Sequence, residues 1–457
     1  MKKFIIALVV LLLAGAVAFW YFHRDNDKAR DVLPADATAA MMVEPAELVS
    51  ELGLDLKDIF NMVSVFGDAE GTIDFTKPVY GFTTEEGVSG FSLNVDDAEK
   101  LLKLINTFGF VSEEKDGYRW IANKNHIGCL DNDKMLVLNA LIPQQDELRD
   151  EIVKLMTQSR QDVPALEKAQ ESKGVVRAST ALSNIPKQYA ASLPDGTDLS
   201  KAFFNCALRL DKKAISYSAK LEGIDNLSIP LAPIKGELFS KGSEEPFAWV
   251  CVNMKGEQLL PYLRKVDQLR TALLGLNLCV DADMMIKAID GDVMLAMPKL
   301  DLTRPNIILT ATLNSTDFLK NADDWKQVSK RGKNDFVMSQ DGLDVFFGVR
   351  DNKLYISNSE ELANDACQKS GTFGFQPSAK GKYLSASINA GQIIQAASKS
   401  FSSTGMVLNI PQVRDVVDAV DRISINANSQ QSVEFCVETK KPVKDIIKNV
   451  KTLLTGK

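Results

Sequence analysis

Few residues of this sequence are of a type that can carry out acid–base or nucleophilic chemistry. The chain holds two histidines, His23 and His126, and a Ser-His-Asp or Cys-His mechanism needs an imidazole base. His23 adjoins a long apolar run, so His126 is the remaining candidate. It precedes a predicted hairpin strand, where a solvated histidine is more common than a base. Because no HExxH motif or histidine cluster occurs, histidine-rich metal sites are excluded.

Six cysteines are spread along the chain, and no two lie closer than 28 residues apart. This spacing excludes C-x-x-C redox motifs and zinc knuckles. We expect mostly buried free thiols, although an exported chain can also form disulfides. The cysteines are Cys129, Cys206, Cys251, Cys279, Cys367 and Cys436.

Three other patterns could suggest chemistry, and each has a simpler explanation. Ser112-Glu-Glu-Lys115 matches the Ser-x-x-Lys pairing of some serine hydrolases, but chance alone produces it in a chain this long, and it lies in a predicted loop. Segments 131–133 and 194–198 cluster oxygen ligands without a twelve-residue calcium loop, so they indicate turns. No phosphate-binding glycine motif occurs. The sequence therefore predicts no catalytic residue, no cofactor and no metal site.

An uncharged apolar run of 19 residues, Phe4–Phe22, lies near the start of the chain. At about 1.5 Å rise per residue it is long enough to cross a bilayer. Two interpretations stay open: a signal-anchor that is retained, or a signal peptide removed after Ala18, where an Ala-x-Ala site ends. Aromatic residues at 19–22 followed by His23 and Arg24 are typical of a retained helix. We therefore expect a single-pass inner-membrane protein with its bulk in the periplasm.

The rest of the chain contains an internal repeat. Segments 127–139 and 347–358 share the pattern apolar-Gly-x-x-Asp-Asn, followed by lysine and a second apolar strand, if Asp133 is treated as an insertion. Each predicts a β-hairpin. Upstream, the Asp116-Gly117 turn is matched with Asp341-Gly342, and the other neighbouring elements recur in the same order. The sequence therefore predicts a duplication.

The predicted fold class is α+β, with two similar tandem domains behind the N-terminal transmembrane helix. Hairpins require mostly antiparallel sheets, and we expect helices to cover one face of each sheet. The C-terminal helix has a lysine face and is expected to dock on the second domain, with contact to an anionic membrane as the alternative. The predicted segments are 1–30 (membrane anchor and charged tether), 31–222 (first domain), 223–245 (linker), 246–441 (second domain) and 442–457 (basic amphipathic helix).

The composition limits the classes of partner. The 53 basic and 60 acidic residues give a net charge of −7, and both ends of the chain are basic, so the stretch between them is more acidic than the mean. An acidic body repels phosphate backbones, which argues against a nucleic-acid partner. A hydrophobic content of 45% is ordinary for a globular protein and excludes disorder.

The opening segment 32–43, the two Asp-Asn-Lys hairpins and the duplicated layout behind an export signal resemble a known family. It is the Bacteroidetes envelope family catalogued as domain of unknown function 4836. The resemblance implies an envelope location and this architecture, and it implies no activity. Family members often carry a lipoprotein signal, whereas Ala16 stands where the lipidated cysteine would be, which favours a protein helix as the anchor.

We therefore expect a protein that is not an enzyme but a membrane-anchored, periplasm-facing binding or scaffolding protein of the bacterial envelope. Its partners would be the membrane, through residues 4–22, and an unknown envelope protein or glycan ligand. Two other classes stay open. An envelope hydrolase could use carboxylates, and a pocket holding two of them within about 10 Å would favour it. A secreted surface adhesin or fibre subunit would be cleaved after Ala18 and would expose edge strands.

Overall fold

The computed structural model of the protein describes residues 27–52, 71–184, 198–224, 230–238, 246–300, 305–340, 342–368, 379–392 and 419–446. The predicted membrane segment 4–22 and the C-terminal helix beyond residue 446 lie outside these ranges. Among the residues that the structure describes, no helix combines the length and apolar character needed to span a membrane.

The chain divides into two compact units. The first contains the described residues up to Lys212 together with 219–224. The second contains 213–218 and the described residues from 230 onward.

The first unit is built on an antiparallel sheet with the strand order β4-β5-β6-β7-β3-β2-β1-β8-β9. The strands in this part of the chain are β1 (Ala37–Val43), β2 (Val79–Thr84), β3 (Ser89–Asn94), β4 (Val111–Lys115), β5 (Tyr118–Ala122), β6 (His126–Leu130), β7 (Lys134–Asn139), β8 (Val176–Ala181), β9 (Phe203–Asp211) and β10 (Ala214–Glu222). The helices are α1 (Lys28–Asp31), α2 (Pro45–Leu52), α3 (Ala98–Asn106), α4 (Ile142–Gln145), α5 (Arg149–Thr157), α6 (Pro164–Glu171) and a 3₁₀ turn (Leu182–Asn184).

The second unit has the order β15-β16-β17-β18-β14-β13-β12-β19-β20-β21. Its first nine strands repeat the order of the first unit, with β12 in the place of β1. Its strands are β11 (Leu231–Ala232), β12 (Ala248–Lys255), β13 (Ile289–Met297), β14 (Ile308–Leu313), β15 (Val328–Gly332), β16 (Asp335–Gln340), β17 (Leu343–Arg350), β18 (Lys353–Ser357), β19 (Leu384–Ile388), β20 (Val420–Ser429) and β21 (Ser432–Thr439). Its helices are α7 (Gly256–Leu263), α8 (Asp267–Leu276), α9 (Ala282–Lys287), a 3₁₀ helix (Asp317–Asp324) and α10 (Glu360–Gln368). The prediction of a mixed helix and strand protein with mostly antiparallel sheets is confirmed.

The prediction that helices cover one face of each sheet is wrong, because they cover parts of both faces. On β7, Leu136 belongs to a core that includes residues of α5 and α6, whereas its neighbour Val137 packs on the other face with residues of α3. In the second unit Tyr355 and Leu354 divide between two cores in the same way. The continuous apolar run in β7 is the pattern of a strand buried on both sides.

The two predicted hairpins are present, but the structure aligns them without an insertion. Leu130 pairs with Met135 in the β6–β7 hairpin, and Val349 pairs with Leu354 in the β17–β18 hairpin. Four residues therefore lie between the paired positions in both hairpins, and Asp133 is an ordinary turn residue.

The absence of an insertion changes which residues of β6 and β17 are equivalent. Gly128 now corresponds to Phe347, and Cys129 corresponds to Gly348. Because neighbouring residues of a strand point to opposite faces, the two glycines lie on opposite faces of their sheets. The two glycines match only when the sequences are aligned one residue out of the structural register, so they are not equivalent positions.

The predicted match between Asp-Gly turns also fails. Asp116 and Gly117, with φ of 55° and 78°, join β4 to β5, whereas Gly342 lies between β16 and β17. The turn equivalent to Asp116–Gly117 joins β15 to β16 and uses Asn334, with φ of 60°. Positive φ favours Gly, Asn and Asp, and the two turns use different residues of this group.

A row of directly paired residues crosses each sheet at equivalent positions. In the first unit the row consists of Leu136, Ser92, Tyr80, Met42 and Arg177. In the second unit it consists of Tyr355, Thr310, Met294, Cys251 and Ser385.

Two segments predicted to lie outside the domains pack inside them. Residues 27–30, predicted as part of the tether, enter α1, and Ala29 is fully buried. Within the predicted linker 223–245, Ile234 and Leu238 belong to the core of the second unit. Both segments hold apolar residues among charged ones, and those apolar residues pack into the cores.

Candidate functional site

The residues considered for chemistry from the sequence do not come together. His126 lies on β6, half-buried, with Nδ1 3.0 Å from Asn123 Oδ1. Ser112 and Lys115 lie on strand β4 rather than in a loop. In the part of the chain that the structure describes, no group of three His, Cys, Asp or Glu residues is arranged to hold a metal ion.

The cysteines behave as thiols. Cys129, Cys251, Cys279 and Cys436 form no disulfide, and the first two are buried. Burial, with the negative charge of Asp131 as a smaller cause, raises the pKa of Cys129 to about 11. Buried thiols of this kind are poor nucleophiles, so they support a packing role.

The candidate site is a cavity of about 540 Å³ in the first unit. It lies where the chain before α1, the ends of β1 and β2, the loop after α5 and strand β8 meet. Its volume is in the range of about 300–1,000 Å³ that small-molecule sites occupy. The ionisable side chains that line it, besides Tyr80, are Asp27, Arg30, Glu44, Lys77, Arg160 and Arg177.

The buried side of the cavity is a hydrogen-bonded network around Asp27. The Tyr80 hydroxyl donates to Asp27 Oδ2 at 2.5 Å, and Asn94 Nδ2 donates to Asp27 Oδ1 at 2.9 Å. The Asn94 side chain also accepts the Ala29 N–H at 3.1 Å. This network explains why a carboxylate that is 9% exposed is stable there.

Tyr80 remains a hydrogen-bond donor at all physiological pH values. Burial, followed by the charge of Asp27 and the hydrogen bond to it, raises the pKa of Tyr80 far above its ordinary value. Arg30 and Arg160 oppose this shift.

One wall of the cavity is an ionic cluster centred on Arg177. Arg177 Nε donates to the Gly174 carbonyl at 2.9 Å, and its guanidinium contacts both Glu44 and Glu47, the latter at 3.4 Å. Burial, a hydrogen bond to Glu44 and repulsion from Glu44 raise the pKa of Glu47 to about 7, against the opposing effect of Arg177. The two carboxylates thus compete for one cation.

The second unit lacks these groups at the equivalent positions. Met42 lies between Tyr80 and Arg177, and its equivalent Cys251 lies between Met294 and Ser385. Two residues beyond Met42 the chain has Glu44, and two residues beyond Cys251 it has Asn253. The carboxylate of Glu44 therefore corresponds to the amide of Asn253. The phenol of Tyr80 corresponds to the thioether of Met294, and the guanidinium of Arg177 corresponds to the hydroxyl of Ser385.

Sequence reasoning missed this site because its residues are dispersed. Asp27 and Arg30 stand in the segment predicted as a tether. Arg160 lies in the loop between α5 and α6, Arg177 lies on β8, and neither is part of a motif. The local indication in the sequence was the presence of the apolar residues Ala29 and Val32 inside that charged tether segment. Both are fully buried in the structure.

Known proteins provide little further guidance. No curated protein matches the sequence. Crystal form IV of TP0453 is similar at 13% identity and a TM-score of 0.29, over 43% of this chain and 81% of that one. Crystal form I of TP0453 is similar at 14% identity and a TM-score of 0.29, over 44% of this chain and 80% of that one.

A match to one protein family covers most of the sequence. The family is described as "Domain of unknown function (DUF4836)", and residues 30–443 match it. The matched range contains both structural units except for the described residues 27–29 and 444–446. The protein belongs to this DUF4836 family.

Proposed function

We propose that this protein is a non-catalytic binding protein of the bacterial envelope, in which the cavity of the first unit holds a small-molecule ligand. The observation that carries the proposal is a cavity of about 540 Å³ with six ionisable side chains on its lining besides Tyr80. Convergent polar groups in a concave site of this size are the usual mark of ligand binding. The second unit acts as a scaffold or as a partner-binding unit.

The asymmetry between the units supports this division of roles. We propose that the chain arose by internal duplication, which the common strand order and the equivalent cross-sheet rows support. Glu44, Tyr80 and Arg177 then represent charges or polar groups that one copy has and the other lacks. Buried polar and charged groups are costly to fold, so a function that requires them is a reasonable cause of their presence in one copy.

The proposed location is the inner membrane, with residues 4–22 as the anchor and both units in the periplasm. The apolar run and its aromatic end support it, as does the implied envelope role of the resembling Bacteroidetes family. Alkaline carbonate extraction of cell membranes provides the test. The full-length protein should stay in the pellet, and its release into the soluble fraction would contradict the anchor.

The binding proposal is tested by native mass spectrometry of the full chain purified from its own envelope in mild detergent. We expect a small-molecule adduct on the wild type and its loss in Arg177→Met, which removes the centre of the cavity wall. Arg119→Met is the matched control, because Arg119 pairs with Glu99 away from the cavity. Circular dichroism checks that both variants fold. An adduct that is absent, or unchanged in Arg177→Met, would count against the proposal.

A carboxylate hydrolase is the second candidate, and the Glu44–Glu47 pair favours it. A glutamate with a pKa of about 7 is a suitable general acid at neutral pH. However, both carboxylates contact the one guanidinium of Arg177, whereas the two carboxylates of a glycosidase flank the substrate from about 5–9.5 Å apart. Turnover of cell-wall glycan fragments by the wild type, abolished in Glu47→Gln, would establish the hydrolase in place of the binding protein.

A further inference from the structure

The cavity of the first unit is basic although the chain is acidic. The whole sequence has 53 basic and 60 acidic residues, whereas the lining of the cavity has four basic side chains and two acidic ones. This departure from the overall charge balance points to a ligand of negative charge.

Both acidic side chains of the lining already have partners within the protein. Asp27 accepts hydrogen bonds from Tyr80 and Asn94. Glu44 contacts the guanidinium of Arg177. Both carboxylates are therefore engaged by protein groups rather than left open to a ligand.

The basic side chains differ in how far they are engaged. Arg177 contacts two glutamates, and Lys77 lies 3.2 Å from Asp74. Arg160 is exposed at the cavity and forms no ion pair with the residues that the structure describes. A guanidinium presents several donors in a planar fork that suits carboxylate and phosphate oxygens.

Arg30 and Arg160 both line the cavity, together with Lys77 and Arg177. An anionic ligand in the cavity would be attracted by all four positive charges.

We propose that the cavity binds a small molecule through its carboxylate or phosphate group, with Arg160 as the residue that meets the anion at the entrance. This inference rests on the proposed binding function and names its ligand class. The cavity volume of about 540 Å³ suits a sugar acid or a phosphorylated metabolite rather than a polymer.

Isothermal titration calorimetry of the full chain in detergent tests the ligand class with three probes: D-glucuronate, inorganic phosphate and D-glucose. Glucose matches glucuronate in shape and lacks the carboxylate. We expect saturable binding of at least one anionic probe, no binding of glucose, and weaker binding at high salt. If glucuronate binds and phosphate does not, the ligand is a carboxylate, and the reverse result assigns a phosphate.

Arg160→Gln should weaken binding of the anionic probe by about five- to ten-fold, because it removes a charge-assisted contact. Arg350→Gln is the matched control, since Arg350 is an exposed arginine of the second unit, and its affinity should equal that of the wild type. Equal binding of glucose and glucuronate, failure of both anions to bind, or an Arg160→Gln affinity equal to that of the wild type would overturn the inference. A neutral adduct in the native mass spectrum that Arg177→Met removes would preserve the binding function and reject the anionic ligand.

Discussion

The guanidinium of Arg177 on β8 lies 3.4 Å from the Glu47 carboxylate on α2, in a cluster where Glu44 binds the same cation. The cluster ties the first turn of α2 to the central strands of the first sheet. Because two carboxylates share one arginine, the protonation of Glu47 should control how strongly this helix end is held.

Stability should fall as pH rises from about 4.5 to about 7. The pKa of Glu47 rises from its ordinary 4.5 to about 7, so the folded state holds this proton more tightly than the unfolded state. The resulting stabilisation is complete below pH 4.5 and is lost on approach to pH 7. The side chain is 42% exposed, and after discounting for solvent screening the effect is about 1 kcal/mol, or about 2–4 °C in Tm.

Thermal unfolding at pH 5 and pH 8 measures this effect. In Glu47→Gln, the decrease in Tm from pH 5 to pH 8 should be smaller by the amount that Glu47 contributes. Glu171→Gln removes an exposed carboxylate that pairs with Lys168 and should keep the wild-type decrease. The same decrease in wild type and Glu47→Gln would contradict the assignment.

Tyr80→Phe should destabilise the first unit by about 1–3 kcal/mol. The substitution removes the hydroxyl that donates to Asp27 and leaves a buried carboxylate with fewer donors. Hydrogen exchange of peptides from α1 and β2 reports the opening free energy of this region. Tyr262→Phe, at a tyrosine that is 50% exposed, should change it by less than about 0.5 kcal/mol.

Asp292→Asn should release residues 234–238 from the second unit. The Asp292 carboxylate is fully buried and accepts three backbone N–H groups, from Lys235 at 2.9 Å, Gly236 at 2.6 Å and Glu237 at 2.9 Å. An amide turns one acceptor into a donor that faces other donors, at a cost of about 1–3 kcal/mol. Amide exchange in 234–238 should become at least about tenfold faster, whereas Asp290→Asn, at the exposed residue two positions earlier, should leave it unchanged.

Two glycine substitutions should have opposite effects on Tm. A Cβ at Gly128 would lie 2.3 Å from the Leu136 carbonyl oxygen, so Gly128→Ala should destabilise by about 1–3 kcal/mol. A Cβ at Gly275 meets no atom within 4 Å, and the residue lies inside α8, so Gly275→Ala should stabilise by about 0.5–1 kcal/mol. A Gly128→Ala variant with wild-type Tm would show that β6 and β7 separate easily.

The elements were predictable because their signals are local. Alternating apolar residues and Asp, Asn or Gly turns define the hairpins, and Asp97 at the start of α3 caps that helix by accepting the Lys100 N–H. Register was not predictable, because the pairing of strands depends on partners far away in sequence. The shared Gly and Asp-Asn residues suggested an insertion at Asp133, whereas the strand pairing of the two hairpins contains no insertion.

The cavity was not predictable for a related reason. It joins residues near 27, 44, 77, 160 and 177, and no spacing rule connects them. The buried contacts of Ala29 and Val32 bring the first of these segments onto the sheet, and that placement completes the site. The missing histidine motifs directed attention away from histidine chemistry, but they said nothing about arginines.

The bonds from Tyr80 and Asn94 to Asp27 also have a mechanical meaning. Asp27 is five residues beyond Phe22, the end of the apolar run. Among the described residues, a force that pulls on the chain from its N-terminal side is therefore met first by these buried hydrogen bonds, which lie at the base of the cavity. Tension at Asp27 would be transmitted directly to the cavity lining.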